Sequence, residues 1–191
     1  MKINILKKEI KLYITNNHFN YDIKRHFTIF QNSFIKTNDI IYRKNIDIVC
    51  AKDLFFYTIL NVDRYKYFLP YVTDSKITEK NKKYLKANLQ IENIFFKEKY
   101  DSLIQFIYPT TITVSSEDTN IFHHLITEWI IKEKKNCINI DFYINFRLKN
   151  KIYQNFMNLY IKELGKKILY SFINESKSNS YKNTDVLHLI K

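Results

Sequence analysis

The sequence predicts an α+β domain in which one long helix covers a curved antiparallel sheet. Three patterns support this prediction. Apolar and polar residues alternate without interruption along 138–148, which is typical of a half-buried strand in an antiparallel sheet. A shorter alternation of the same kind runs along 85–91. Residues 150–175 instead place apolar side chains at a 3.6-residue period, which predicts a long amphipathic helix.

A strand, a helix and an aromatic stretch are predicted before the main run of strands. The segment 40–49 is rich in isoleucine and predicts a strand, whereas 51–62 carries apolar residues at helical spacing. Pro70 then ends any helix and disfavours helical geometry at the preceding Leu69. We therefore expect an ordered loop, rich in aromatic side chains, between the first helix and the sheet.

Three further strands, predicted over 96–108, 111–116 and 121–131, complete an antiparallel sheet. We expect about six to seven strands, followed by the C-terminal helix. At about 1.5 Å per residue this helix is about 40 Å long, enough to cross a whole sheet. A strongly curved sheet does not touch such a helix everywhere, so we expect an internal cavity lined by large apolar side chains.

The composition limits the classes of function. The chain has 191 residues, one glycine and a formal net charge of +12. One glycine cannot build a dinucleotide fingerprint or a phosphate loop, and no H-E-x-x-H, C-x-x-C or G-x-S-x-G motif is present. Nucleotide-dependent enzymes and the common metal hydrolases are poor candidates, so we assign no catalytic or metal-binding residue. The positive charge favours an anionic partner, with an ordinary solvated surface as the alternative.

One polar cluster, His123, His124 and Glu128, has the residue types needed for acid–base chemistry. If Trp129 points into the cavity, however, the alternation of a strand sends His124 and Glu128 to the opposite face. We therefore expect a binding protein rather than an enzyme.

The N-terminus resembles a targeting segment. Residues 1–14 carry apolar side chains on one side of a helix and lysines mostly on the other, which is typical of organelle targeting peptides. An ordinary surface helix is the alternative. We accordingly divide the chain into an N-terminal extension over 1–38, a folded domain over 39–176 and a polar tail over 177–191.

Four stretches, in this order, resemble the coenzyme Q-binding proteins of mitochondria and their bacterial relatives. They are NVDRYKYFLPYVTDSKI, IFHHLITEWII, CINIDFYINFRLKNKIY and YIKELGKKILYSF. The resemblance covers about residues 40–176 and implies the helix-grip fold of the START-like and polyketide cyclase superfamily. The chain departs from the family pattern at Ile131, where phenylalanine is usual, and at Gly165, which lies within the predicted helix and could widen the cavity.

The resemblance implies a lipid carrier. The protein would bind ubiquinone in the apolar cavity, as a ligand rather than a cofactor, and support respiratory electron transport and quinone biosynthesis. It would sit on an anionic membrane surface, on the matrix side of the mitochondrial inner membrane, with biosynthetic or respiratory complexes as possible partners. An RNA- or ribosome-associated role remains the alternative, since a charge of +12 fits it too.

Period-two counting directs Leu89 and Phe142 into the cavity, and the resemblance adds the aromatic loop, the strand tryptophan and the helix. The loop is either a lip of the cavity or a plug of the core beneath it. The predicted ligand-binding residues are Phe68, Leu69, Pro70, Leu89, Trp129, Phe142, Phe146, Phe156, Tyr160 and Leu164.

Overall fold

The computed structural model describes residues 38–93, 97–116 and 120–178. The predicted targeting helix over 1–14 and the tail from residue 179 onwards lie outside the described residues. The proposed domain boundaries therefore remain a prediction.

Seven antiparallel strands form one curved, unclosed sheet in the order β1-β7-β6-β5-β4-β3-β2. Successive strands from β2 to β7 pair with their neighbours in the sequence, and β1 pairs with β7. The predicted α+β architecture is therefore confirmed. The strands are β1 (Ile40–Ile48), β2 (Val72–Lys80), β3 (Tyr84–Glu92), β4 (Lys97–Ile107), β5 (Thr111–Ser116), β6 (Phe122–Glu133) and β7 (Ile138–Leu148).

Helices fill the concave side of this sheet. They are α1 (Lys52–Leu60), a 3-10 turn (Val62–Arg64), α2 (Tyr65–Phe68) and α3 (Lys151–Lys177). The side chain of Asn150 caps α3, because its oxygen accepts hydrogen bonds from the backbone N–H groups of Ile152 at 2.9 Å and Tyr153 at 3.2 Å. No helix in the described part of the chain combines the length and the apolar composition needed to cross a bilayer.

The alternation along β7 places its apolar side chains in the core, as predicted. Phe142 is fully buried and stacks on Trp129 of β6, with ring centroids 4.0 Å apart. Phe55 of α1 meets the same indole edge-on at 5.8 Å. Sheet and helix α1 thus share one aromatic core, in line with the preference of ring pairs for offset and edge-on contacts.

Strand β2 was not predicted from the sequence, because it lies at an edge of the sheet and buries only one side chain, Ser75. A strand with two largely polar faces carries no period-two signal. Its edge is partly covered, since the carboxylate of Asp63 accepts a hydrogen bond from the backbone N–H of Ile77 at 2.6 Å.

Gly165 does not widen the cavity. It faces the ring of Tyr42 on β1, and a Cβ atom at this position would lie 2.5 Å from two carbons of that ring. Glycine is therefore required here so that α3 and β1 can approach each other closely.

Candidate functional site

An apolar cavity of about 220 Å³ lies between the sheet and α3. Strands β3, β4, β6 and β7 form its floor, α3 forms its roof, and the link between α2 and β2 closes one side. Seven of the predicted ligand-binding residues line it: Leu69, Pro70, Leu89, Trp129, Phe142, Phe146 and Leu164.

The two ends of the cavity differ in exposure. At one end the wall consists of fully buried side chains, including Trp129, Phe142 and Phe172. The Phe172 ring lies 4.9 Å from the indole, centroid to centroid. At the other end the wall contains the partly exposed Tyr71. We call these the Trp129 end and the Tyr71 end.

Tyr71 links the strand edge to the helix at this end of the cavity. It adopts a φ of 65°, a backbone conformation that residues other than glycine rarely occupy. Its carbonyl accepts a hydrogen bond from the N–H of Glu92 at 2.8 Å, and its hydroxyl lies 3.0 Å from the hydroxyl of Tyr160. Lys167 donates to that same Tyr160 oxygen at 3.0 Å, which lowers the pKa of Tyr160, whereas the bond to Tyr160 raises the pKa of Tyr71. A polar bridge thus spans the Tyr71 end.

The polar residues after the aromatic stretch hold α2 against β2. The buried hydroxyl of Ser75 accepts a hydrogen bond from the backbone N–H of Lys66 at 3.1 Å. Asp74 accepts from the N–H of Ser75 at 2.9 Å and from the ammonium of Lys66 at 3.1 Å. These bonds position Leu69 and Pro70 on the cavity wall.

Three predicted residues, Phe68, Phe156 and Tyr160, lie outside the cavity lining in the described structure. Phe68 packs edge-on against Tyr65 at 5.7 Å and Phe172 at 5.3 Å, so it braces the core beneath the loop. The aromatic loop therefore combines both alternatives, with Phe68 as the plug and Leu69 and Pro70 as the lip.

Phe156 and Tyr160 lie off the wall because the first half of α3 presents Met157 and Ile161, each one residue later, to the cavity, whereas Leu164 lies on the wall as predicted. The amide of Gln154 is buried: its oxygen accepts from the N–H of Leu148 at 2.7 Å and its nitrogen donates to the carbonyl of Asn38. This polar anchor turns Met157, Ile161 and Leu164 towards the cavity. A hydrophobic period cannot reveal a buried glutamine, which explains the error.

His124 and Glu128 lie away from the cavity lining, as alternation predicts, whereas His123 is exposed at a register shift between Phe122 and His124. His124 lies 2.9 Å from the side-chain oxygen of Asn145 through its Nε2 atom. Glu128 is buried on that opposite face, which alternation alone does not predict. Within the described residues no group of three His, Cys, Asp or Glu side chains could hold a metal ion.

Sequence reasoning missed the hydroxyl groups of the cavity wall. Tyr100 and Ser102 of β4 and Thr127 of β6 all line it. The signal was present for all three, because Tyr100, Ser102 and Ile104 share one face of a predicted strand and Thr127 shares the face of Trp129.

Known proteins match this chain in both sequence and fold. The chain matches the family described as polyketide cyclase / dehydrase and lipid transport over residues 53–173. The mitochondrial coenzyme Q-binding protein COQ10 of Drosophila melanogaster is 25% identical over 159 residues, which cover 78% of this chain and 65% of the fly protein. Its counterpart in Saccharomyces cerevisiae is 23% identical over 163 residues, covering 80% and 78%. The match thus spans just under two thirds of the length of the fly protein.

Solved structures agree on the fold. The Zhui aromatase/cyclase from Streptomyces sp. R1128 has a TM-score of 0.66 at 12% identity, covering 75% of this chain and 97% of that chain. A STAR-related lipid transfer protein fragment from Xanthomonas axonopodis has a TM-score of 0.63 at 8% identity, covering 72% and 86%. At such low identities these likenesses show the fold alone. The match over residues 53–173 shows that the chain belongs to the polyketide cyclase / dehydrase and lipid transport family, in which it resembles the mitochondrial coenzyme Q-binding proteins.

Proposed function

We propose that this protein binds ubiquinone in the cavity beneath α3 and carries it, without chemical change, between membrane and protein sites. The observation that carries the proposal is the cavity itself, an apolar enclosure whose more exposed end, at Tyr71, would admit the ligand. The names of the curated relatives, which are coenzyme Q-binding proteins, support the same ligand.

The energetics suit a carrier. Each isoprene unit has five carbons, and moving them from water into the cavity is worth roughly 4 kcal/mol, at about 0.8 kcal/mol per buried carbon. A ubiquinone tail already lies in hydrocarbon, however, and transfer from lipid to an apolar wall gains little because both media are similarly apolar. A near balance of this kind allows both uptake and release.

Carriage is favoured over catalysis by the chemistry of the wall. The lining that the structure describes carries one charged side chain, Glu98, near the Tyr71 end. Aromatase/cyclase enzymes share the fold, but acid–base catalysis depends on several polar groups that converge on one reacting atom. The wall instead consists mainly of aliphatic and aromatic groups, which suit an isoprenoid.

We further propose that the protein works at an anionic membrane surface, on the matrix side of the mitochondrial inner membrane, where it serves respiratory electron transport and quinone biosynthesis. The curated relatives are named as mitochondrial. The charge of +12 would attract acidic lipid headgroups, and α2 and α3, which border the cavity, also carry exposed apolar side chains. The comparisons give no support to the RNA-binding alternative. Several basic side chains are paired with carboxylates on different elements, as in Arg43–Asp141 and Lys134–Asp47.

A titration of tryptophan fluorescence tests ubiquinone binding. Trp129 is the only tryptophan and lines the cavity, and a quinone close to an indole quenches its emission. A ubiquinone analogue with two isoprene units should therefore quench the full-length protein saturably, at about one ligand per chain. Weak quenching that rises linearly with concentration would contradict the proposal.

Leu89 and its neighbour Gln90 provide the matched variants. Leu89→Asp places a carboxylate in the apolar wall. It should weaken the affinity measured by the quenching titration at least tenfold, because burial of an unpaired charge is costly. Gln90→Asp, on the other face of β3, should leave it within twofold of the unsubstituted protein. Equal losses in two folded variants would remove the cavity as the binding site.

A further inference from the structure

The cavity wall contains a buried hydroxyl without a partner. Ser102 of β4 is 1% exposed and lines the cavity, and its Oγ atom has no hydrogen-bond partner among the described residues. Most buried polar groups in folded proteins are hydrogen-bonded, and an unsatisfied one destabilises the fold. A donor kept in this state at the wall of a binding cavity is explained if a ligand supplies the acceptor.

Tyr100 adds a second donor on the same wall. It lies two residues before Ser102, so both side chains point to the same face of β4. Burial raises the pKa of Tyr100 to about 12, which keeps its phenol protonated and able to donate at any physiological pH. The hydroxyls of two other tyrosines in the lining are already engaged: Tyr65 donates to the carbonyl of Ile59, and Tyr71 lies 3.0 Å from Tyr160.

The two donors lie well inside the cavity. Glu98 stands beside the Tyr71 end, because its partner Ile91 on β3 also pairs with Val72. Ser102 is four residues further along β4, or about 13 Å at about 3.3 Å per residue. Ile104 follows it towards the Trp129 end. An acceptor that reaches Ser102 must therefore belong to the part of the ligand that enters first.

We propose that Ser102, assisted by Tyr100, donates a hydrogen bond to a carbonyl oxygen of a quinone ring that enters the cavity head first, with its tail leading out past Tyr71. This inference rests on the proposed function and adds the orientation and the polar contact. A quinone offers acceptors and no donors, which complements two hydroxyl donors on an apolar wall. The cavity has a volume of about 220 Å³, whereas pockets for drug-sized ligands have volumes of about 300–1,000 Å³. It therefore holds the ring and only the start of a tail.

The test compares Ser102→Ala with Ser115→Ala, which deletes the same hydroxyl from the other face of the neighbouring strand β5. Binding of the two-isoprene ubiquinone analogue to Ser102→Ala should be about three- to tenfold weaker, the size expected for one lost hydrogen bond. Ser115→Ala should bind as the unsubstituted protein does. Squalene, an isoprenoid hydrocarbon without oxygen, should compete with the analogue equally well in all three proteins.

Two readouts separate a ligand contact from a merely structural serine. The ligand-free Ser102→Ala protein should melt at the same or a higher temperature, because the substitution removes an unsatisfied buried group. The carbonyl stretching band of the bound, carbon-13-labelled quinone should lie at lower frequency in the unsubstituted protein than in Ser102→Ala, since hydrogen bonding weakens the carbonyl bond. Tyr100→Phe should likewise raise the frequency of this band and weaken the affinity. If Ser102→Ala does not fold, Tyr100→Phe takes its place in the test.

The outcomes distinguish the two proposals. Saturable binding to the unsubstituted protein with unchanged affinity and carbonyl frequency in Ser102→Ala and Tyr100→Phe would overturn the head-first contact and leave the carrier function standing. No saturable binding to the unsubstituted protein would overturn both. Equal weakening of the quinone and of squalene would mean that the substitution distorts the cavity, and would also count against the hydrogen bond.

Discussion

Two buried polar side chains, Ser102 on the cavity face and Glu128 on the opposite face, show that the sheet carries polar groups on both sides. Glu128 is 7% exposed, so its carboxylate loses most of its hydration. This burial, together with repulsion from Asp141, raises the pKa of Glu128 above its usual range, and Arg43 opposes the rise only in part. The guanidinium of Arg43 is already committed to Asp141, with Nε to Oδ1 at 2.9 Å.

Glu128→Gln should therefore stabilise the protein at neutral pH. A carboxyl whose pKa is higher in the folded than in the unfolded state contributes its stability below the ordinary value of 4.5 and loses it as the pH rises through the folded value. Glutamine stays neutral throughout. The free energy of unfolding of the variant should therefore be larger than that of the unsubstituted protein at pH 7, and the two should become equal near pH 4. Urea unfolding at several pH values measures this difference. An advantage that is independent of pH would exclude ionisation as the cause.

At the scale of single elements, a strand or helix could be predicted from the sequence where one of its faces is apolar and the other is polar. Strand β7 was predicted because one face is entirely apolar and the other polar. Strand β2 was missed because it buries only one side chain, the polar Ser75. The phase of the first half of α3 was missed because Gln154, a polar residue, is the anchor on its buried side. Predicted residues whose direction is set by a strand or a rigid proline, such as Leu89 and Pro70, line the cavity, whereas Phe156 and Tyr160 on the helix do not. Their contact with a ligand stays a prediction.

The contact between α3 and β1 is testable through Gly165. Alanine is favoured over glycine within a helix by about 1 kcal/mol, so Gly165→Ala would stabilise an isolated helix. In this protein the added Cβ would lie 2.5 Å from the ring of Tyr42, and overpacking of this kind costs about 1–3 kcal/mol. We expect Gly165→Ala to lower the free energy of unfolding, measured by denaturant titration.

The control is the same substitution without the ring. In a Tyr42→Ala background the steric conflict is absent, and Gly165→Ala should raise the free energy of unfolding by up to about 1 kcal/mol. The double-mutant cycle therefore predicts a change of sign. An identical effect of Gly165→Ala in both backgrounds would show that the ring of Tyr42 does not require glycine at this position.

At the scale of the whole molecule, the surface combines exposed apolar side chains with an excess of positive charge. Leu159 and Ile152 of α3 are 89% and 77% exposed, and Tyr67 of α2 is 71% exposed. Both elements border the cavity, and the chain as a whole carries +12. An anionic bilayer complements such a surface, since it offers negative headgroups to the lysines and an apolar interior to the exposed side chains.

Binding of the protein to lipid vesicles should consequently have two separable components. The electrostatic one requires anionic lipid and should weaken as the ionic strength rises to about 0.15 M, where the screening length falls to about 8 Å. The apolar one should survive added salt and depend on Leu159. Leu159→Ser should weaken binding roughly severalfold at both ionic strengths, because a side chain that enters the interface loses its apolar contact. Val49→Ser is the matched control. Val49 is 76% exposed, but it follows the end of β1 that pairs with Ile138, at the opposite end of β7 from Leu148, which lines the cavity. Equal losses for the two variants, or binding that neither anionic lipid nor salt affects, would place the membrane contact elsewhere on the molecule.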